Sequence, residues 1–297
     1  MTGPAAATEP GSPSRPRIVV LEHDQSDPVM LLGEWLAEAG ADLKIVRPYA
    51  GDDVPGDLTG IDALVSMGGA MGANDDEVAP WLPATRRLLA AAAAGGTPTL
   101  GVCLGGQLLA AATGGLVERG EDGPETGAHL VAKRDAAEAD PLFAALPLSP
   151  DVMQYHYDVI SELPPGAVLL LSSTGYPNQA FRVGNAAWGL QFHIETPAEV
   201  LRTWARGDAA RRTDDRGPAD GRGGDAGAST EQPLSARFGP MLDEAEELMG
   251  QVWRAFAHRF VELARDGVPA TPTGHSGPRL PLLPSGNGGS GDAEGMY

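Results

Sequence analysis

The sequence predicts an α/β protein built on a doubly wound, mostly parallel sheet with antiparallel hairpins appended to it, and three observations carry that reading. Short apolar runs at Ile18-Val19-Val20-Leu21, Leu43-Lys44-Ile45-Val46, Ala63 to Met67 and Leu100 to Val102 resemble strands buried on both faces. Segments of helical spacing lie between them, Val29 to Ala39 and Pro80 to Ala94. From Leu116 onward the elements shorten and turn residues separate them. Alternating strands and helices imply βαβ units with right-handed crossovers, whose ligands bind beyond the carboxyl ends of the strands.

Composition narrows the class. A chain of 297 residues can bury a full core in one large or two small domains. A net charge of −19 argues against a nucleic-acid binder, which needs clustered Lys and Arg to meet phosphates. Small substrates or a protein partner fit better. One cysteine makes no internal disulfide, which suits a reducing compartment. The N-terminal stretch has no apolar signal core, and no apolar run is long enough for a bilayer, so a cytoplasmic, soluble protein with no membrane partner is expected. No Cys/His metal spacing, P-loop or internal repeat is visible, and no metal or cofactor is expected.

In chain order, residues 1–16 read as a disordered arm punctuated by Pro4, Pro10, Pro13 and Pro16. Ile18 to Leu21 opens the sheet. The first helix places Leu31, Leu32, Trp35, Leu36 and Ala39 on one face and stops at Gly40. The third strand, ending at Met67, runs into the Gly-rich turn Gly68-Gly69-Ala70-Met71-Gly72. Asp75, Asp76 and Glu77 are expected in solvent, favouring the N-terminus of the Pro80 helix, and His23 and Asp24 are expected as loop residues. Gly95-Gly96 ends the second helix. Later strands are expected at Leu116-Val117, His129 to Val131, Val152 to Ile160, Val168 to Leu171, Gln179 to Val183 and Ala187 to Phe192. A helix begins at Thr196-Pro197 and ends near Arg206. Residues 207–234 read as a flexible linker, 235–266 as a helix packing on the core or on a second subunit with Glu244, Glu246 and Glu247 outward, and 267–297 as a disordered tail.

Two stretches carry chemistry. In Gly101-Val102-Cys103-Leu104-Gly105 a strand meets a helix at a sharp turn, with glycine two residues away on each side of the cysteine. The following helix would aim unpaired N–H groups at the sulfur and favour the thiolate, the reactive form. Taken alone, the turn suits a nucleophile and a buried core cysteine equally. Downstream, Trp188-Gly189-Leu190-Gln191-Phe192 runs into His193-Ile194-Glu195, where extended backbone would put His193 and Glu195 on one side. A carboxylate beside an imidazole fixes its tautomer and stabilises the imidazolium.

Together these segments form the parts of a Cys-His-Glu triad with an oxyanion hole. Gly101-Val102-Cys103-Leu104-Gly105-Gly106-Gln107, with Gln191-Phe192-His193-Ile194-Glu195 downstream and Ser66-Met67-Gly68-Gly69 upstream, resembles the class I (triad) glutamine amidotransferases over about residues 17–206. The resemblance implies a flavodoxin-like fold and a stand-alone amidotransferase domain. Cys103 would attack the glutamine side-chain amide, His193 would move protons under the orientation of Glu195, and the Gly69 and Leu104 amides would hold the oxyanion. It further implies substrate contacts at Gln107, Tyr157 and Asp158, while His156 and Tyr157 read equally as a half-buried strand pair. An ammonia-consuming synthase subunit is the implied partner. A γ-glutamyl conjugate hydrolase using the same triad, and a non-catalytic binding relative, stay open. Two positions depart from the family pattern: Gly106, where a larger residue is common, and Ile194, where proline is common.

Overall fold

The computed structural model describes residues 15–214 and 234–269, with side chains of 209–214 and 234–240 left aside. An eight-stranded sheet runs through it. Its parallel half comprises β1 (Arg17–Leu21), β2 (Asp42–Val46), β3 (Ala63–Ser66), β4 (Thr99–Val102) and β12 (Ala187–Leu190), in the order β2-β1-β3-β4-β12. Three antiparallel strands continue the sheet beyond β12: β11 (Ala180–Val183), β10 (Val168–Ser172) and β7 (Ala132–Lys133). This is the order of a flavodoxin-like sheet with an antiparallel extension.

Alternation along each parallel strand builds two cores. Ile18, Val20, Val65, Leu100, Val102 and Trp188 point to one face, and Val19, Leu21 and Leu64 to the other. The first face is covered by α1 (Met30–Glu38) and α5 (Leu234–Asp266), the second by α2 (Leu82–Gly95) and α3 (Leu104–Ala112). Gly40, at φ +92°, follows α1, and Gly96, left-handed at φ +72°, closes α2.

The short elements pair differently from a series of simple hairpins. The expected strand Val152 to Ile160 is two, β8 (Asp151–His156) and β9 (Asp158–Glu162), broken at Tyr157. They pair in nested fashion, β9 with β5 (Leu116–Arg119) and β8 with β6 (Glu125–Leu130), so residues far apart in sequence form each ribbon. The Gly184-Asn185 turn does join β11 and β12 as a sequential hairpin.

Both C-terminal helices differ from expectation in detail. The helix expected to end near Arg206 is α4 (Ala198–Asp214), so residues 207–214 are helix and not linker. The expected arm before Arg15, the rest of the linker and the tail beyond 269 lie outside the described residues. The expected C-terminal helix is present as α5 and packs on the core of its own chain: Trp253 is fully buried, donates from Nε1 to the Asp151 carbonyl at 2.8 Å, and meets Phe192 and Phe256 with ring centroids 5.5 and 5.2 Å apart. Glu246, expected to face outward, instead accepts the Ala198 amide at 2.9 Å and caps α4. Among the described residues no helix is long and apolar enough to cross a membrane.

Trp253→Ala should therefore destabilise the protein by about 3–5 kcal/mol, the usual cost of emptying a buried aromatic site. Urea unfolding measures it; a loss typical of a surface substitution would place α5 off the core.

Candidate active site

The carboxyl ends of the parallel strands surround a cleft of about 540 Å³. Cys103 reaches it from β4, Gly69 from the turn after β3, His193 from the chain after β12, Asp24 and Asp27 from the loop after β1, and Trp204 and Asp208 from α4.

Cys103 sits at φ +50°, ψ −110°, a conformation that L side chains rarely adopt. Its neighbours hold it there. Its amide donates to the Leu190 carbonyl at 2.9 Å, and its carbonyl accepts the Gln107 amide at 2.9 Å. A Cβ on Gly105 would overlap the Ser66 carbonyl, and one on Gly106 would overlap the Leu190 carbonyl. Helix α3 thus lies backbone to backbone against β3 and β12. This explains why Gly106 stands where relatives carry a larger residue: in this chain the site for a side chain is filled by Leu190.

His193 is locked by its backbone before its ring is considered. It exchanges hydrogen bonds with Met153 of β8, at 2.8 and 3.2 Å, in an isolated antiparallel bridge. Strand β12 has ended at Leu190, so His193 and Glu195 do not lie on one continuous strand as expected, yet their side chains meet: Nδ1 to Glu195 Oε1 is 2.6 Å. Glu195 is fully buried and accepts three further contacts' worth of order from its own segment, through the Thr196 hydroxyl at 2.9 Å to Oε1 and the Ile194 amide at 2.9 Å to Oε2. Proline at 194 would have no N–H to give. The second departure from the family pattern therefore supplies a donor to the carboxylate.

Burial opposes charge on His193, but Glu195, Cys103 and Asp27 together override it and hold the imidazole pKa well above its ordinary value. Burial likewise pushes Glu195 up, and His193 with the hydrogen bonds around it brings the carboxyl below its usual range. The pair is thus arranged as imidazolium and carboxylate.

The expected oxyanion donors are neighbours. Gly69 lines the cleft, and a Cβ there would stand 3.1 Å from Leu104 Cδ2 and 3.3 Å from His23 Cβ. Leu104 begins α3, where the first turn leaves amides without intrahelical partners. His23 is no surface loop residue: it is fully buried beneath this turn, Nε2 lies 2.9 Å from Ser66 Oγ, and burial lowers its pKa to about 4, keeping it neutral. Asp75 and Asp76 also have specific partners, the Gly72 amide at 2.7 Å and Arg86 at 2.7 Å, and α2 begins later than expected, at Leu82.

Gln107, Tyr157 and Asp158 all line the cleft. Gln107 donates from Nε2 to the Asp158 carbonyl at 2.9 Å, so it braces the Tyr157–Asp158 segment. His156 is buried; its Nδ1 lies 3.0 Å from the same carbonyl and its Nε2 3.2 Å from Glu125, which also accepts from Gln179 at 2.8 Å. Tyr155 and Tyr157 both donate to Asp208 of α4, at 2.5 and 2.6 Å, and the Arg119 guanidinium lies over the Tyr157 ring, 4.4 Å from its centroid. These α4 contacts had no signal in a segment that reads as linker. Trp204, with its ring centroid 5.1 Å from that of His193, was equally hidden.

Asp27 is the other residue that sequence reasoning missed. It is buried, its Oδ1 lies 3.9 Å from His193 Nδ1, and that oxygen has no hydrogen-bond partner among the described residues. Donor atoms of Asp27, His193 and Glu195 lie within 4.8 Å of one another, but the direct 2.6 Å bond between His193 and Glu195 leaves no space for an ion between them.

Burial raises the Asp27 pKa to about 7 from 3.8; His193 opposes the shift, and Glu195, Asp24 and Glu22 add to it. The folded protein therefore holds this proton more tightly than the unfolded chain. The stability so gained is fully present below pH 3.8 and is lost as pH rises to about 7. Asp27→Asn removes that slope. Thermal unfolding should show the variant gaining on the wild type across this window, whereas a difference independent of pH would contradict the assignment.

Comparison with known proteins agrees with this geometry. The sequence profile of the family described as Glutamine amidotransferase class-I matches residues 30–202. A glutamine-hydrolysing GMP synthase of Porphyromonas gingivalis is 30% identical over 151 residues, 50% of this chain and 28% of that protein. The chain thus spans little more than a quarter of that relative's length. A putative glutamine amidotransferase-like protein, YfeJ, of Salmonella typhimurium is 27% identical over 188 residues, 62% of this chain and 78% of that one. Among solved structures, a glutamine amidotransferase from Thermotoga maritima superimposes with a TM-score of 0.68 at 26% identity, covering 84% of this chain and 99% of that one. One from Methylobacillus flagellatus gives 0.67 at 27% identity, covering 86% and 95%. On the family match and the shared fold, the chain belongs to the class-I glutamine amidotransferases.

Proposed function

We propose that this protein hydrolyses the side-chain amide of glutamine through a γ-glutamyl thioester on Cys103. The observation that carries the reading is the His193 imidazole, held at Nδ1 by buried Glu195 and interacting with the Cys103 thiol on the strained turn. The Cys103 sulfur attacks the amide carbon, and the Gly69 and Leu104 amides take the developing oxyanion; one such donor is typically worth about 2.7–4 kcal/mol. His193 gives its proton to the leaving nitrogen, so ammonia departs and the thioester remains. His193 then takes a proton from water, the hydroxide oxygen adds to the thioester carbon, and glutamate leaves as the sulfur regains its proton from His193. Gln107, Tyr157 and Asp158 form the wall on which the amino-acid end of the substrate would rest.

Relatives carrying the name GMP synthase suggest where the ammonia goes: to a separate synthase bound at the mouth of the cleft. A second reading has its own support. The cleft, at about 540 Å³, falls in the size range of sites for ligands larger than one amino acid, and Tyr155, Tyr157 and Trp204 give it an aromatic wall. This suits a γ-glutamyl conjugate cleaved by the same triad.

Ammonia and glutamate release, followed from glutamine and from γ-glutamyl amides, tests both. Cys103→Ala should lower turnover by about a thousandfold or more. Turnover that the substitution leaves intact on every substrate would overturn the hydrolase reading.

A further inference from the structure

We propose that Asp27 is a positioning residue for His193: its carboxylate faces the imidazole edge that Glu195 already holds, and the two acids form a clamp that keeps the ring charged and turned toward Cys103. The inference rests on the catalytic role proposed for His193. Four observations support it.

Glu195 Oε1 is in hydrogen-bond contact with Nδ1 at 2.6 Å, whereas Asp27 Oδ1 stands 3.9 Å from the same atom. At that separation Asp27 acts through its charge, which is felt strongly where water is excluded. Secondly, the Oδ1 atom is buried without a hydrogen-bond partner. Such an atom is costly and calls for an explanation other than bracing the fold. The loop is closed without it: the Asp27 amide donates to the Asp24 carbonyl at 3.2 Å, and Asp24 Oδ1 accepts the Ser26 amide and hydroxyl, both at 2.8 Å.

Thirdly, the carboxyl has a place made for it. A Cβ on Gly68 would overlap Asp27 Oδ2 and stand 3.2 Å from His193 Cε1, so the absence of a side chain at 68 lets acid and ring share one space. Fourthly, α4 fixes the geometry from the opposite side. Trp204 packs on the His193 ring and donates from Nε1 to the Ser26 carbonyl at 3.1 Å, tying the helix to the loop that carries Asp27.

The groups acting electrostatically on Asp27 are His193, Glu195, Asp24 and Glu22. Glu22 is itself paired with Arg47 at 2.7 Å and accepts the Val29 amide. His193 is the only cation in that set. Because burial sets the Asp27 pKa at about 7 and that of His193 lies well above 6.5, the acid is ionised over the range in which the imidazolium titrates. Removing its charge must then lower the His193 midpoint.

The test is an NMR titration of the His193 ring in the full chain, for the wild type, Asp27→Asn and the smaller neutral variant Asp27→Ser, with folding checked by circular dichroism. Both substitutions should lower the midpoint by at least about one pH unit, a tenfold loss of imidazolium at a given alkaline pH. The alkaline limb of kcat/KM should move down with it. A midpoint left at the wild-type value in either folded variant would overturn the proposal. The titration needs no turnover, so the two readings fail separately. A lowered midpoint in a protein with no Cys103-dependent hydrolysis would support the clamp and sink the glutaminase reading.

Discussion

The architecture of the cleft depends on one contact, the backbone-to-backbone packing of α3 against β3 and β12. Gly105 touches the Ser66 carbonyl and Gly106 the Leu190 carbonyl, with no space for a side chain at either position. That approach draws the start of α3 close to the sheet and leaves Cys103 to absorb the turn at φ +50°. The same contact brings the Leu104 amide beside the Gly69 turn and sets Gln107 against the Asp158 carbonyl. The backbone strain is local, and the surrounding packing holds it in place.

Around this rigid turn the protein has gathered charge where burial disfavours it. His193, Glu195 and Asp27 are all withdrawn from solvent. Glu195 is satisfied by the ring, the Thr196 hydroxyl and the Ile194 amide. Asp27 lacks an equivalent set, and its raised pKa is the physical trace of that shortfall. An arrangement that costs stability and yet surrounds one imidazole is what a site tuned for proton transfer requires.

Much of the fold was legible because it rests on local patterns. The runs at Ile18–Leu21 and Ala63–Ser66 are apolar on both faces, and Gly40 and Gly96 mark the helix ends. Cys103 and the His193–Glu195 pair were legible because a strained turn and a spaced acid need particular residue types. Asp27, Trp204 and Asp208 were not legible. Each acts through a tertiary contact: Asp27 across a loop to His193, Trp204 onto the same ring, Asp208 onto two tyrosines some fifty residues away, with separations of 53 and 51 positions. Nested pairing of β5 with β9 and β6 with β8 was hidden for the same reason, since alternation tells which face a residue takes and not which strand it meets.

The central claim is that Cys103 carries an acyl group during turnover. Acid-quenched enzyme taken during steady-state reaction with glutamine or a γ-glutamyl amide, digested and analysed by mass spectrometry, tests it directly. The account predicts one γ-glutamyl group on the peptide containing Cys103, labile to hydroxylamine as a thioester is. Turnover with that peptide unmodified, or with the acyl group on any other residue, would contradict it.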